Sequence, residues 1–63
     1  MTRPHFDIVF TGGGTAGHLF PGLAVADELS RILPRPRITF AGSGKDLERR
    51  HVGAAGYEYL PLP

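Results

Sequence analysis

Apolar and polar positions change their period several times along the chain. Phe6-Asp7-Ile8-Val9-Phe10 is a short β-branched and aromatic run halted by Gly12-Gly13-Gly14, which predicts a buried parallel strand. From Leu23 onward Val25, Ala26, Leu29, Ile32 and Leu33 recur at helical spacing, with Asp27, Glu28, Ser30 and Arg31 on the opposite side. Pro21 suits the first turn of that helix, where a missing N–H costs nothing, and Pro34 and Pro36 end it. Arg37-Ile38-Thr39-Phe40-Ala41 predicts a second strand, closed by Gly42-Ser43-Gly44. A short helix follows from about Asp46 to Ala55, with Leu47 and Val52 as its apolar anchors and Gly56 as its stop. Tyr57-Glu58-Tyr59-Leu60 predicts a third strand, cut off by Pro61 and Pro63.

Strand, helix, strand, helix, strand at this spacing implies an α/β fold with a Rossmann-like parallel sheet. Right-handed crossovers put both helices on one face if the strands lie in the order 3-2-1. The other face then lies bare, whereas parallel sheets are nearly always covered on both. The expectation is therefore that residues 1–63 form one part of a larger domain.

Composition narrows the function classes. The 63 residues are 41% hydrophobic and 21% charged, a globular balance, and the formal net charge is +1. That charge gives no electrostatic reason to expect nucleic acid as a partner. No stretch approaches the roughly 20 apolar residues of a transmembrane helix, and the charged, histidine-containing stretch after Met1-Thr2-Arg3-Pro4 leads us to expect no secretory leader. With no cysteine either, the expected compartment is the cytoplasm. His5, His18 and His51 are too scattered to suggest a structural metal site.

The candidate chemistry lies between the first strand and the first helix. Gly12-Gly13-Gly14-Thr15-Ala16-Gly17 satisfies G-x-G-x-x-G in the right context. Glycines allow close backbone approach, and exposed amides at a helix start attract phosphate oxygens, to which the Thr15 hydroxyl can add a hydrogen bond. The bland alternative is a tight turn that binds nothing. A dinucleotide fold usually carries an acid at the end of its second strand, but Phe40-Ala41-Gly42-Ser43 has none before Asp46. NAD is thereby disfavoured. Ser43 and Lys45 as partners for a 2′-phosphate keep an NADP-binding oxidoreductase module open. A P-loop fails because Asp46, not Ser or Thr, follows Gly44-Lys45. His18 closes the loop; it serves either as a neutral base for an attacking hydroxyl or as a plain loop or cap hydrogen-bonder.

Gly13-Gly14-Thr15-Ala16-Gly17-His18-Leu19-Phe20-Pro21-Gly22-Leu23-Ala24-Val25-Ala26 resembles the signature of the MurG family, G-G-T-G-G-H running into F-P-A/G-L-A-V-A. Gly42-Ser43, Leu47-Glu48 and Ala55-Gly56-Tyr57-Glu58 are similar to that family's second loop, second helix and third strand. The likeness runs from about Ile8 to Leu60, and the histidine-phenylalanine-proline continuation sets it apart from dinucleotide folds.

The resemblance implies the GT-B architecture, two Rossmann-like domains facing a cleft, of which residues 1–63 are an N-terminal part. It implies an inverting transfer of N-acetylglucosamine from UDP-N-acetylglucosamine to lipid I, giving lipid II for peptidoglycan, at the cytoplasmic face of the bacterial membrane and with no bound metal or other cofactor. A related nucleotide-sugar transferase with another lipid acceptor is the nearest alternative. Carried across by position, Gly14, Thr15, Ala16 and Gly17 contact substrate and His18 is the candidate catalytic base. Glu48 matches a recurrent family acid, for which a helix-surface or loop-anchoring task is expected. Two positions depart from the pattern: Ala16 replaces a usual glycine, and Gly53 stands where the family often has proline. The family's uridine and sugar contacts lie mainly in its C-terminal domain, and its membrane-docking patch lies later in the N-terminal domain. The 63-residue segment alone is therefore expected to be inactive.

Overall fold

The computed structural model describes residues 6–11 and 16–63, and for residues 16–18 the backbone only. Five elements alternate along it: β1 (Phe6–Thr11), α1 (Ala16–Ile32), β2 (Pro36–Gly42), α2 (Asp46–Ala54) and β3 (Glu58–Pro61). The strands form one parallel sheet in the order β1-β2-β3. The register pairs Ile8 with Ile38, and it aligns Phe10, Phe40 and Tyr59 across all three strands. The expected α/β, Rossmann-like arrangement is present.

Strand alternation sends Ile8, Phe10, Ile38, Phe40 and Tyr59 to one face, where both helices pack. Leu19, Ala26, Ile38, Phe40 and Val52 form the buried cluster, joined by half-buried Leu23 and Leu29 of α1. The Phe10 and Phe40 rings stack at 4.8 Å between centroids, and α1 crosses them at Gly22. A Cβ on Gly22 would lie 3.3 Å from the Phe40 ring, so the small residue lets the helix come down onto the sheet.

The opposite face carries Asp7, Val9, Thr11, Arg37, Thr39, Glu58 and Leu60. No described helix covers it, and Val9 and Leu60 are 60% and 52% exposed. Arg37 and Glu58 pair across β2 and β3 at 3.0 Å, and the Thr39 hydroxyl donates to the same carboxylate. This pair lies in water and contributes little.

Several local expectations need correction, beginning with β1, none of whose residues is fully buried. Helix α1 begins at Ala16, five residues before Pro21, so Pro21 lies inside it rather than in its first turn. Its ring offers no N–H to the Gly17 carbonyl four residues back, and tertiary packing carries the helix through that gap. The buried stripe of α1 accordingly starts at Leu19 and runs through Leu23, Ala26 and Leu29, leaving Val25 and Ile32 exposed. In α2 the inward pair is Glu48 and Val52, one turn apart, while Leu47 is 42% exposed. Pro36 opens β2 instead of merely ending the helix, a strand position where its missing donor is tolerated.

Gly56 stops α2 as expected. It sits at φ +90°, and Tyr57 N–H donates to the Val52 carbonyl while Gly56 N–H donates to that of Gly53. These are the two bonds of a Schellman motif. Val52 is the one large side chain fully buried among the described residues. Val52→Ala should cost about 2 kcal/mol, whereas Leu47→Ala should cost under about 0.5 kcal/mol. Urea denaturation of the two variants checks the contrast.

Candidate functional site

Parallel strands bring their carboxyl ends to one edge, and each following helix starts there. Thr11 ends β1 and Gly42 ends β2, while Ala16 opens α1 and Asp46 opens α2. In open α/β sheets ligands bind outside this edge.

Of the residues singled out in the sequence, Gly14 and Thr15 lie outside the described residues. Ala16, Gly17 and His18 are the first three residues of α1, and their side chains also lie outside the description. Their position alone has a consequence. Amides in the first turn of a helix have no intrahelical acceptor and stand at its positive end.

The two helix starts differ in charge. The first turn of α2 carries Asp46 and Glu48, which answer its positive end from within the chain. The first turn of α1 carries no acid. An external anion is therefore favoured at α1 and opposed at α2.

Glu48 organises the loop between β2 and α2. It is 6% exposed, and its Oε1 accepts three hydrogen bonds: from Ser43 N–H at 3.1 Å, from the Ser43 hydroxyl at 3.2 Å and from the Tyr59 hydroxyl at 2.5 Å. The Tyr59 hydroxyl in turn accepts from Gly44 N–H at 2.8 Å. The Arg49 guanidinium lies over the Tyr59 ring, 5.9 Å from its centroid. Beyond the loop, Leu62 N–H donates to the Gly42 carbonyl at 2.7 Å, tying the chain after β3 to the end of β2. The loop-anchoring reading of Glu48 fits these contacts. Neither Tyr59 nor the Gly42 contact was foreseen, although Glu48 and Val52 share a helix face by their spacing of four.

This geometry weakens the NADP alternative. Of the two residues offered to a 2′-phosphate, Ser43 and Lys45, the first has its amide and hydroxyl both turned to the chain's own carboxylate. That carboxylate also repels a phosphate at the same place. Among the described residues no group of three or more His, Cys, Asp or Glu is placed to hold a metal ion.

A parallel α/β edge at which two helices start defines a Rossmann-like unit. The chain belongs to the glycosyltransferase family 28 N-terminal domain, which residues 8–63 match. It is 48% identical over 65 residues to the UDP-N-acetylglucosamine–N-acetylmuramyl-(pentapeptide) pyrophosphoryl-undecaprenol N-acetylglucosamine transferase of Mycobacterium ulcerans, covering 95% of this chain and 16% of that protein. It is 47% identical over 63 residues to the transferase of the same name from Saccharopolyspora erythraea, covering 100% of this chain and 17% of the relative. Against that of Chlorobaculum parvum the identity is 45% over 56 residues, 89% of this chain and 15% of the relative. The chain thus spans only about a sixth of the length of these relatives. No solved structure gives a significant match.

Two outcomes follow from the Glu48 cluster. A Cβ on Gly42 would lie 2.6 Å from Glu48 Oε1 and 2.8 Å from the Tyr59 oxygen, while one on Gly53 would meet nothing within 4 Å. Gly42→Ala should therefore cost about 1–3 kcal/mol by overpacking, and Gly53→Ala should gain up to about 1 kcal/mol through helix propensity, both read by urea denaturation. The Tyr59 hydroxyl, chiefly, holds the Glu48 carboxyl below the ordinary carboxylate range; burial opposes the shift, and the Ser43 hydroxyl and amide add to it. Tyr59 is pushed up, first by burial and then by its bond to Glu48. A depressed carboxyl stabilises the fold above its unfolded pKa, and that stability is lost as pH falls through the folded value. The urea midpoint should fall between about pH 5 and pH 3, and Glu48→Gln should flatten that fall.

Proposed function

We propose that the chain is the opening βαβαβ part of the N-terminal Rossmann-like domain of a two-domain, inverting N-acetylglucosaminyltransferase. The donor is UDP-N-acetylglucosamine and the acceptor is undecaprenyl-pyrophosphoryl-MurNAc-pentapeptide, lipid I, giving lipid II for peptidoglycan. The observation that carries this reading is the acid-free start of α1 at the carboxyl edge of the sheet, in a chain whose relatives bear the transferase name.

The amides from Gly14 to His18, with the Thr15 hydroxyl, hold diphosphate oxygens at the positive end of α1. His18 takes the proton of the acceptor hydroxyl as its oxygen attacks the anomeric carbon. The bond to the UDP oxygen breaks on the opposite face, UDP leaves with the electron pair, and the configuration inverts. These residues are enough for a base and an anion cradle, and the reading gives the step no metal. No described helix is long and apolar enough to cross a membrane. The enzyme meets its lipid acceptor peripherally, at the cytoplasmic face, through surface outside this segment. The bare face of the sheet supports the view that more of the domain packs there.

The test supplies the complete protein with labelled UDP-N-acetylglucosamine and lipid I. Labelled lipid II with one UDP released per transfer is expected, and His18→Ala should lower kcat by about 10²–10⁴-fold. The 63-residue segment alone should give no product. Normal turnover by His18→Ala refutes the assigned base, and binding of NADPH in place of the sugar nucleotide refutes the transferase reading.

A further inference from the structure

Resting on that transferase reading, we infer that Glu48 is a positioning residue for the transfer, acting through the Ser43–Lys45 loop and the start of α2 rather than touching substrate. The loop follows β2, the strand hydrogen-bonded to β1, so it lies at the same carboxyl edge of the sheet as the end of β1. Ser43 N–H and Gly44 N–H are both taken up within the chain. The first is held by Glu48 itself and the second by the Tyr59 hydroxyl that donates to Glu48. One oxygen thus collects donors from the β2–α2 loop and from β3, and holds both to the first turn of α2. Gly44, at φ +90°, can take the turn this demands, and Gly42 leaves the carboxylate its space.

The hold extends to α1. One turn beyond Glu48 on the same helix, the His51 ring meets Phe20 edge-on at 4.9 Å between centroids, and Phe20 stands two residues past His18. Glu48 therefore fixes α2, and α2 braces the turn of α1 that carries the candidate base. A shift of an ångström there misaligns base and acceptor hydroxyl without removing any group that binds donor. Loss of the carboxylate should appear chiefly in kcat, with a smaller effect on the KM for donor.

The experiment compares wild type, Glu48→Gln and Glu48→Ala in the complete protein, with lipid I and UDP-N-acetylglucosamine. Glu48→Ala should lower kcat about 10- to 100-fold while the KM for donor stays within about twofold, and Glu48→Gln, which keeps an acceptor oxygen, should recover most of the loss. Added acetate should restore part of the Glu48→Ala rate by filling the vacated carboxylate space, and should leave wild type unchanged. Unaltered kcat in Glu48→Ala overturns the inference. So does a parallel loss of thermal stability and donor binding that neither acetate nor Gln reverses, because Glu48 would then be holding the fold alone. Wild type that transfers nothing sinks the transferase reading itself, and this inference with it.

Discussion

Parallel strands leave the chain no choice about where its helices begin. Each crossover returns from the carboxyl end of a strand, so both helix starts gather at one edge, with unpaired amides and partial positive charge. Two such ends side by side need anions. The protein supplies one from within, through Asp46 and Glu48 at α2, whereas the first turn of α1 carries no acid. That asymmetry is the reason the proposed anion site is assigned to α1 rather than to α2.

Packing beneath the edge serves the same end. Gly22 lets α1 settle on the stacked Phe10 and Phe40, and Ala26 and Val52 close the space between helices and sheet. Glu48 occupies the inward position a turn before Val52, where an apolar side chain would be the ordinary choice. A buried carboxylate is tolerated only when it is hydrogen-bonded, and Ser43 and Tyr59 supply three donors to Oε1. The loop beside the site is thus ordered by polar contacts, while the core below is ordered by apolar ones.

Much of the architecture was legible in the sequence because β-branched runs and Gly/Pro punctuation mark the strands plainly. The start of α1 was not legible: Gly17, Pro21 and Gly22 all argue locally against helix, and only packing against the sheet overrides them. Pattern also put Leu47 inside, since a lone glutamate reads as a solvated residue until its partners from β3 and the loop are known. The anchoring task of Glu48 was foreseen as one of two options; the Tyr59 hydroxyl that completes it was hidden by a separation of eleven residues. Gly14, Thr15 and the side chain of His18 rest on resemblance, because they fall outside the described residues.

The most direct test follows backbone amide resonances of the complete protein during titration with a short-chain prenyl diphosphate and, separately, with UDP-N-acetylglucosamine. An open anion position at α1 requires that the amides of Ala16, Gly17 and His18 shift and saturate with a diphosphate-bearing ligand while those of Asp46 and Leu47 stay still. Shifts centred on α2, or none at either helix start, would contradict it.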